Sequence, residues 1–190
     1  MIGALVAGQV GSGGGALSSF ESIATTNISG TNTLTFSSIP SGFKHLQIRG
    51  FARTSNAVQV AGAMILRANS DTGSNYAQHS LYGNGSSAIA SGSASTTSID
   101  IHSQIPGDSS TASTVGVMVV DILDYGSTTK NKTVRSFWGA DANTASTNWR
   151  VGINSGVWMS TSAITSLTIV FPANPYGADN SFALYGIKEA

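Results

Sequence analysis

Residues 115–139 read VGVMVVDILDYGSTTKNKTVRSFWG, and the pattern of this stretch sets the fold. From Val115 to Leu123, apolar side chains occupy nearly both parities: Val115, Val117 and Val119 on one, Met118, Val120 and Ile122 on the other. A run so rich in β-branched residues, and shorter than a typical buried helix, predicts a strand buried on both faces. Turn and polar residues fill 124–132 around Gly126 and Asn131. The chain then returns with Thr133, Arg135 and Phe137 alternating with Val134, Ser136 and Trp138. This is a long hairpin with a polar tip, and no helical segment of comparable strength competes with it.

Outward from the hairpin, short alternating segments recur. Leu34 and Phe36 alternate with Thr33 and Thr35. Leu46, Ile48 and Ala52 oppose His45, Gln47, Arg49 and Arg53. Met64 and Leu66 point inward beside an exposed Arg67. A turn over 69–75 leads to a strand over 76–82, and further strands carry Ile99 and Ile101, then Trp149, Val151 and Ile153, then Leu167, Ile169 and Phe171, with a last one over 181–187. Residues 84–98, dominated by Gly, Ser and Ala, read as a loop, as does 105–114. Short strands between Gly, Pro and Ser turns predict an all-β chain: a single antiparallel β-sandwich, jelly-roll-like, over residues 20–190. Residues 1–19 are Gly-rich and aperiodic, and read as an extended N-terminal arm, flexible in isolation. Its Ile2, Leu5, Val6 and Val10 are more apolar than a free arm needs and point to docking on a partner surface.

At 190 residues the chain supports one substantial core. Only 9% of residues are charged, and nine basic against nine acidic residues give a formal net charge of zero. That leaves no electrostatic footprint for nucleic acid or an anionic membrane. A neutral surface of Ser, Thr, Asn and Gly suits a protein held in a large assembly. Cysteine is absent, which excludes disulfides and thiolate metal sites. The first residues lack the basic region of a secretory signal, and no window is apolar enough to cross a bilayer, so a soluble chain made in a cytoplasm is expected.

The chemical motifs weigh toward structure rather than catalysis. Gly11-Ser12-Gly13-Gly14-Gly15-Ala16 fits the glycine spacing of a dinucleotide loop. That chemistry also needs a following helix and an acidic residue about 20 positions on, and Glu21 is far too close. Asp71-Thr72-Gly73 is the tripeptide of aspartic proteases. Asn69-Ser70 before it and Ser74-Asn75 after it are turn chemistry, and no second copy supplies the other half of a carboxylate pair. His45, His79 and His102 fall in three different strands without metal-ligand spacing. Asp100, Asp108, Asp121, Asp124, Asp141 and Asp179 lack the spacing of a calcium loop. No catalytic residue, metal or cofactor is expected. The aromatic residues mostly fill core or interface; Tyr82, Trp149 and Trp158 are the candidates for a glycan-stacking or interface role.

Several segments carry a resemblance: 43–49 (FKHLQIR), 71–76 (DTGSNY) through 81–85 (LYGNG), 105–107 (IPG), 121–125 (DILDY) through 128–133 (TTKNKT), 162–164 (SAI) and 182–188 (FALYGIK). Together they resemble a family of tailed-phage virion proteins common among phages of cyanobacteria and other aquatic bacteria. The resemblance implies a non-enzymatic β-sandwich similar to those of trimeric capsid cement (decoration) proteins and of tail-fibre or tailspike tips. No coiled-coil heptads or β-helix repeats are present to build a fibre shaft. The expectation is therefore a cement protein on the outer surface of the virion capsid. Its partners would be the major capsid protein and, in a trimer, its own copies, and outward loops over 84–98 and 140–148 would be open to host surface glycans. The alternative is a receptor- or glycan-binding tip module of a tail fibre or tailspike.

Overall fold

A computed structural model describes residues 19–144, 146–172, 175–178 and 180–188. Among them are fourteen β-strands and no helix: β1 (Phe20–Ile28), β2 (Thr33–Phe36), β3 (His45–Ala52), β4 (Val60–Ala61), β5 (Met64–Ala68), β6 (Tyr76–Gly83), β7 (Ala88–Thr96), β8 (Ile99–His102), β9 (Ile105–Pro106), β10 (Gly116–Leu123), β11 (Lys132–Ala140), β12 (Arg150–Trp158), β13 (Leu167–Val170) and β14 (Asn180–Ile187). The all-β expectation is met.

The hairpin quoted above is β10 and β11, and it lies at the middle of an eight-stranded antiparallel sheet ordered β1-β14-β3-β10-β11-β12-β6-β7. A four-stranded sheet, β2-β13-β5-β8, covers one face of it, with β8 packed against β10, β11, β12 and β6. Leu46, Ile48, Met118, Val120, Ile122 and Val134 from the large sheet meet Met64, Leu66, Ile99, Ile101, Leu167 and Ile169 from the small one, all buried. Two facing antiparallel sheets closing on alternate side chains make a β-sandwich. The two-residue strands β4 and β9 pair beside it.

Three local expectations are corrected. First, the hairpin strands are covered on one face only. Val117, expected inside, is 53% exposed, and Phe137 on the returning strand is 59% exposed, while Met118 and Trp138 are buried. The second sheet lies on a single side, so the opposite apolar parity meets solvent in the isolated chain. Second, the Gly/Ser/Ala stretch 84–98 is largely strand: β7 pairs along β6 from Gly83↔Ala88 to Tyr76↔Thr96. Its intrinsic β preference is weak, and the ladder to β6 overrides it. Asn84 starts the connecting turn by accepting the Ser86 and Ser87 amides through Oδ1 at 3.1 and 2.9 Å, and Gly85 takes a φ of +85°.

Third, β12 is inverted relative to its apolar pattern. Its inward residues are Gly152, Asn154, Gly156 and Trp158, while Val151 and Ile153 face out. Packing explains the inversion. A Cβ at Gly152 would lie 2.6 Å from the Trp138 ring, and one at Gly156 would lie 2.5 Å from Ile99. Large side chains from β11 and β8 occupy the room that the β12 glycines leave. Asn154 secures them: Trp138 Nε1 donates to its Oδ1 at 2.9 Å, and its Nδ2 donates to the Asp100 carbonyl at 2.7 Å.

Candidate interaction surface

The residues with chemical potential are distributed one by one into structural roles. Asp71 caps the turn between β5 and β6. Its carboxylate accepts from Trp158 Nε1 at 2.7 Å, Asn75 Nδ2 at 2.9 Å and the Gly73 amide at 2.8 Å. These donors, the indole first, hold it below the usual carboxylate range. The Asp-Thr-Gly tripeptide is thus a turn that anchors the end of β12. His45 Nδ1 accepts the Asp124 amide at 3.0 Å, and His79 is exposed on β6. His102 is fully buried with its ring 4.8 Å from that of Trp138, and desolvation pushes its pKa down to about 3, so it is neutral. Among the described residues, no three His, Cys, Asp or Glu side chains come together to hold a metal ion.

Lys132 was not singled out from the sequence, yet it organises the hairpin tip. Its buried ammonium donates to the carbonyls of Ser127, Lys130 and Thr161 at 2.7, 2.8 and 3.2 Å, and desolvation lowers its pKa. The signal was its parity: Lys132 shares the inward side of β11 with Val134, Ser136 and Trp138. Nearby, Asp124 meets Lys130 at 2.8 Å and Lys44 at 3.6 Å, and the Lys130 hydrogen bond leads in holding its carboxyl low.

The three aromatic candidates do not form a platform. Trp158 is buried against Asp71, and Trp149 is buried with its Nε1 donating to Thr144 Oγ1 at 2.6 Å. Tyr82 is half-buried, with the Arg150 guanidinium 4.5 Å from its ring centroid and Trp138 at 6.2 Å. Of the three, Trp149 also lines a cavity on the outer face of the eight-stranded sheet. Ile2, Leu5, Val6 and Val10 lie outside the described residues.

What the structure does bring together is the outer face of the eight-stranded sheet. Seven of the nine exposed large hydrophobic residues among the described residues sit there: Phe51, Leu81, Val117, Leu123, Phe137, Val151 and Ile153. Six of them fall in two adjacent cross-strand rows. One row runs Phe51, Val117, Gly139, Val151, Gly83, and the next runs Arg49, Val119, Phe137, Ile153, Leu81, Ala90, apolar beyond its first member. A cavity of about 610 Å³ opens on the first row, lined by Gly83, Val117, Gly139, Trp149, Arg150 and Val151 among others. A third row is polar and self-satisfied: Gln47 Nε2 and Arg135 Nη2 both donate to Asp121 at 2.8 Å. Arg49 donates to Gln47 Oε1 at 2.8 Å and lies over the rings of Phe20 and Tyr185. A contiguous apolar patch with a polar rim is the kind of surface that marks interaction sites for proteins, membranes or ligands. The apolar residues on both parities of β10 were its trace in the sequence. Comparison with family models, with curated proteins and with solved structures found no match.

Proposed function

We propose that this chain is a non-enzymatic structural protein of a phage virion, a cement or decoration protein that binds the outer surface of the capsid and stabilises the mature shell. The observation that supports this reading best is the broad, sparsely charged, apolar-striped sheet face. The segment-by-segment resemblance to virion proteins supplies the setting. A surface with so few charges loses little on desolvation when it meets a neighbour. The arm residues Ile2, Leu5, Val6 and Val10 are the proposed clasp on the major capsid protein, and association of several copies multiplies weak contacts through effective concentration. Binding only the mature lattice stabilises it by mass action.

The test is copy number in purified virions, measured by quantitative mass spectrometry against the major capsid protein. A ratio near that of the capsid subunit is expected. A far lower ratio moves the protein to the tail and favours a receptor-binding tip, and absence from the particle ends both readings. Deleting residues 2–15 is expected to abolish capsid binding while the body stays folded; a truncated chain that still decorates shells removes the arm from the account.

A further inference from the structure

The outer face carries a knob and a hollow side by side. Phe137, 59% exposed, is the most exposed of its large hydrophobic side chains, and Gly139, two residues on along the same strand, lies at the floor of the cavity between Val117 and Val151. The isolated chain has no use for glycine at 139. A Cβ there would meet nothing closer than 3.6 Å, an ordinary contact, and Gly139 is not among the positive-φ residues. At Gly83, in the same row, the nearest atom would be 3.9 Å away. Glycine in a strand weakens it and often marks a bulge, a bend or the close approach of a ligand or another backbone. Gly83 ends β6 at a turn, but Gly139 pairs in regular register with Val117 and Val151, which leaves close approach.

We propose that two copies of this chain pack face to face through the outer face of the eight-stranded sheet, with the Phe137 ring of each seated over Gly139 of the other. The two-fold axis lies between the sheets, perpendicular to β11, at the level of Trp138. It sets the row of Phe137, Ile153 and Leu81 against the row containing Gly139, Val151 and Gly83, so that each bulky row meets the row with the gaps. Aligned sheets cross at about 30°, and the pair nearest the axis is displaced least by that angle.

Two observations point to a second copy rather than a foreign protein. The complementary features lie on one surface, as an isologous contact requires. The chain carries no net charge to oppose self-association, and Arg135 and Asp121 of this face are paired within one copy. The inference does not depend on where the protein resides, so it can fail while the capsid reading stands, and the reverse.

The experiment uses the full chain and two single variants, Phe137→Gly and Gly139→Phe, in sedimentation velocity from about 1 to about 300 µM. Wild type is expected to form a dimer within that range. Each variant alone is expected to associate about 30-fold or more weakly, one with two hollows facing hollows and the other with two rings colliding. An equimolar mixture of the two restores the dimer, because both contacts then join a ring to a glycine. Gly139→Ala, which the monomer accommodates without a clash, is a milder form of the second variant and is expected to weaken the dimer in the same direction. A wild-type monomer throughout, a trimer, variants that associate as wild type does, or a mixture that stays monomeric each overturns the proposal. So does a wild-type monomer that dimerises only after removal of residues 2–15, which would assign the face to the chain's own arm. A monomer that loses capsid binding in these variants would assign the face to the shell instead.

Discussion

The two faces of the eight-stranded sheet differ in what their glycines meet. On the inner face, Gly50 lies under the Phe182 ring, Gly186 under Phe43, Gly116 under His102, Gly152 under Trp138 and Gly156 under Ile99, each too close to admit a Cβ. On the outer face, Gly92 is covered by His79 at the edge, but Gly139 and Gly83 lie open between apolar neighbours. The inner glycines are explained by the side chains they receive. The outer pair receives no side chain of its own chain, and that contrast separates a filled core from the surface on which the proposed second copy would sit.

The largest effect that sharpens the contrast belongs to the dryness of the inner face. His102 sits over Gly116 and against Trp138, and burial depresses its pKa from 6.5 to about 3. Above pH 6.5 the ring is neutral whether the chain is folded or not, and its contribution is fully favourable. As pH falls below 6.5 the unfolded chain takes up a proton that the folded chain refuses until about pH 3. Stability is therefore lost across that window at about 1.4 kcal/mol per pH unit. Urea unfolding at pH 7 and pH 4.5 should show about 2–3 kcal/mol more loss in wild type than in His102→Gln, whose side chain carries no titrating group. Equal losses in the two proteins would show that water reaches this side of the sheet. The carboxyl of Asp71, held low by its three donors, adds loss of the same sign at lower pH in both proteins and cancels from the difference.

Next in size is a methyl group added where the inner face is full. Gly156→Ala brings Cβ to 2.5 Å from Ile99 and should cost about 1–3 kcal/mol, lowering the urea midpoint with little change in slope. A neutral result would mean that Ile99 withdraws freely, and that the inner face is not packed as tightly as its glycines imply. At the rim of the same face, Asp71→Asn removes the charge from the acceptor of the Trp158 indole and should cost about 1 kcal/mol in the same measurement. An unchanged midpoint would leave the end of β12 held by packing alone.

How far these features could be read in advance depended on whether a strand's face was decided by its own residues. β2, β3 and β13 alternate cleanly, and their inward residues Leu34, Leu46, Ile48, Leu167 and Ile169 follow from spacing alone. β12 did not yield, because its facing is set by partners distant in the chain: Trp138 and Ile99 need the space above Gly152 and Gly156, which forces Val151 and Ile153 outward. β7 stayed hidden because Ala, Gly and Ser carry no strand signal, and only pairing to β6 makes them one. The double-sided apolar pattern of β10 was legible but ambiguous. It shows apolar residues on both faces without saying which face the second sheet covers and which stays exposed.

The smallest effect is the one that most directly separates the two kinds of glycine, because its sign depends on concentration. Gly139→Ala adds a methyl group that meets nothing closer than 3.6 Å and removes a glycine from a strand interior. In dilute solution, where the chain is monomeric, it should stabilise the fold by about 0.5–1 kcal/mol. In concentrated solution, wild type gains stability from association in proportion to the logarithm of its concentration, while the variant, its hollow partly filled, gains less. Melting curves of the two proteins should therefore cross as concentration rises, with the variant higher when dilute and wild type higher when concentrated. Parallel shifts, with the variant ahead at every concentration, would mean that Gly139 faces only water. The outer glycines would then be incidental, and the apolar stripe beside them would need another explanation.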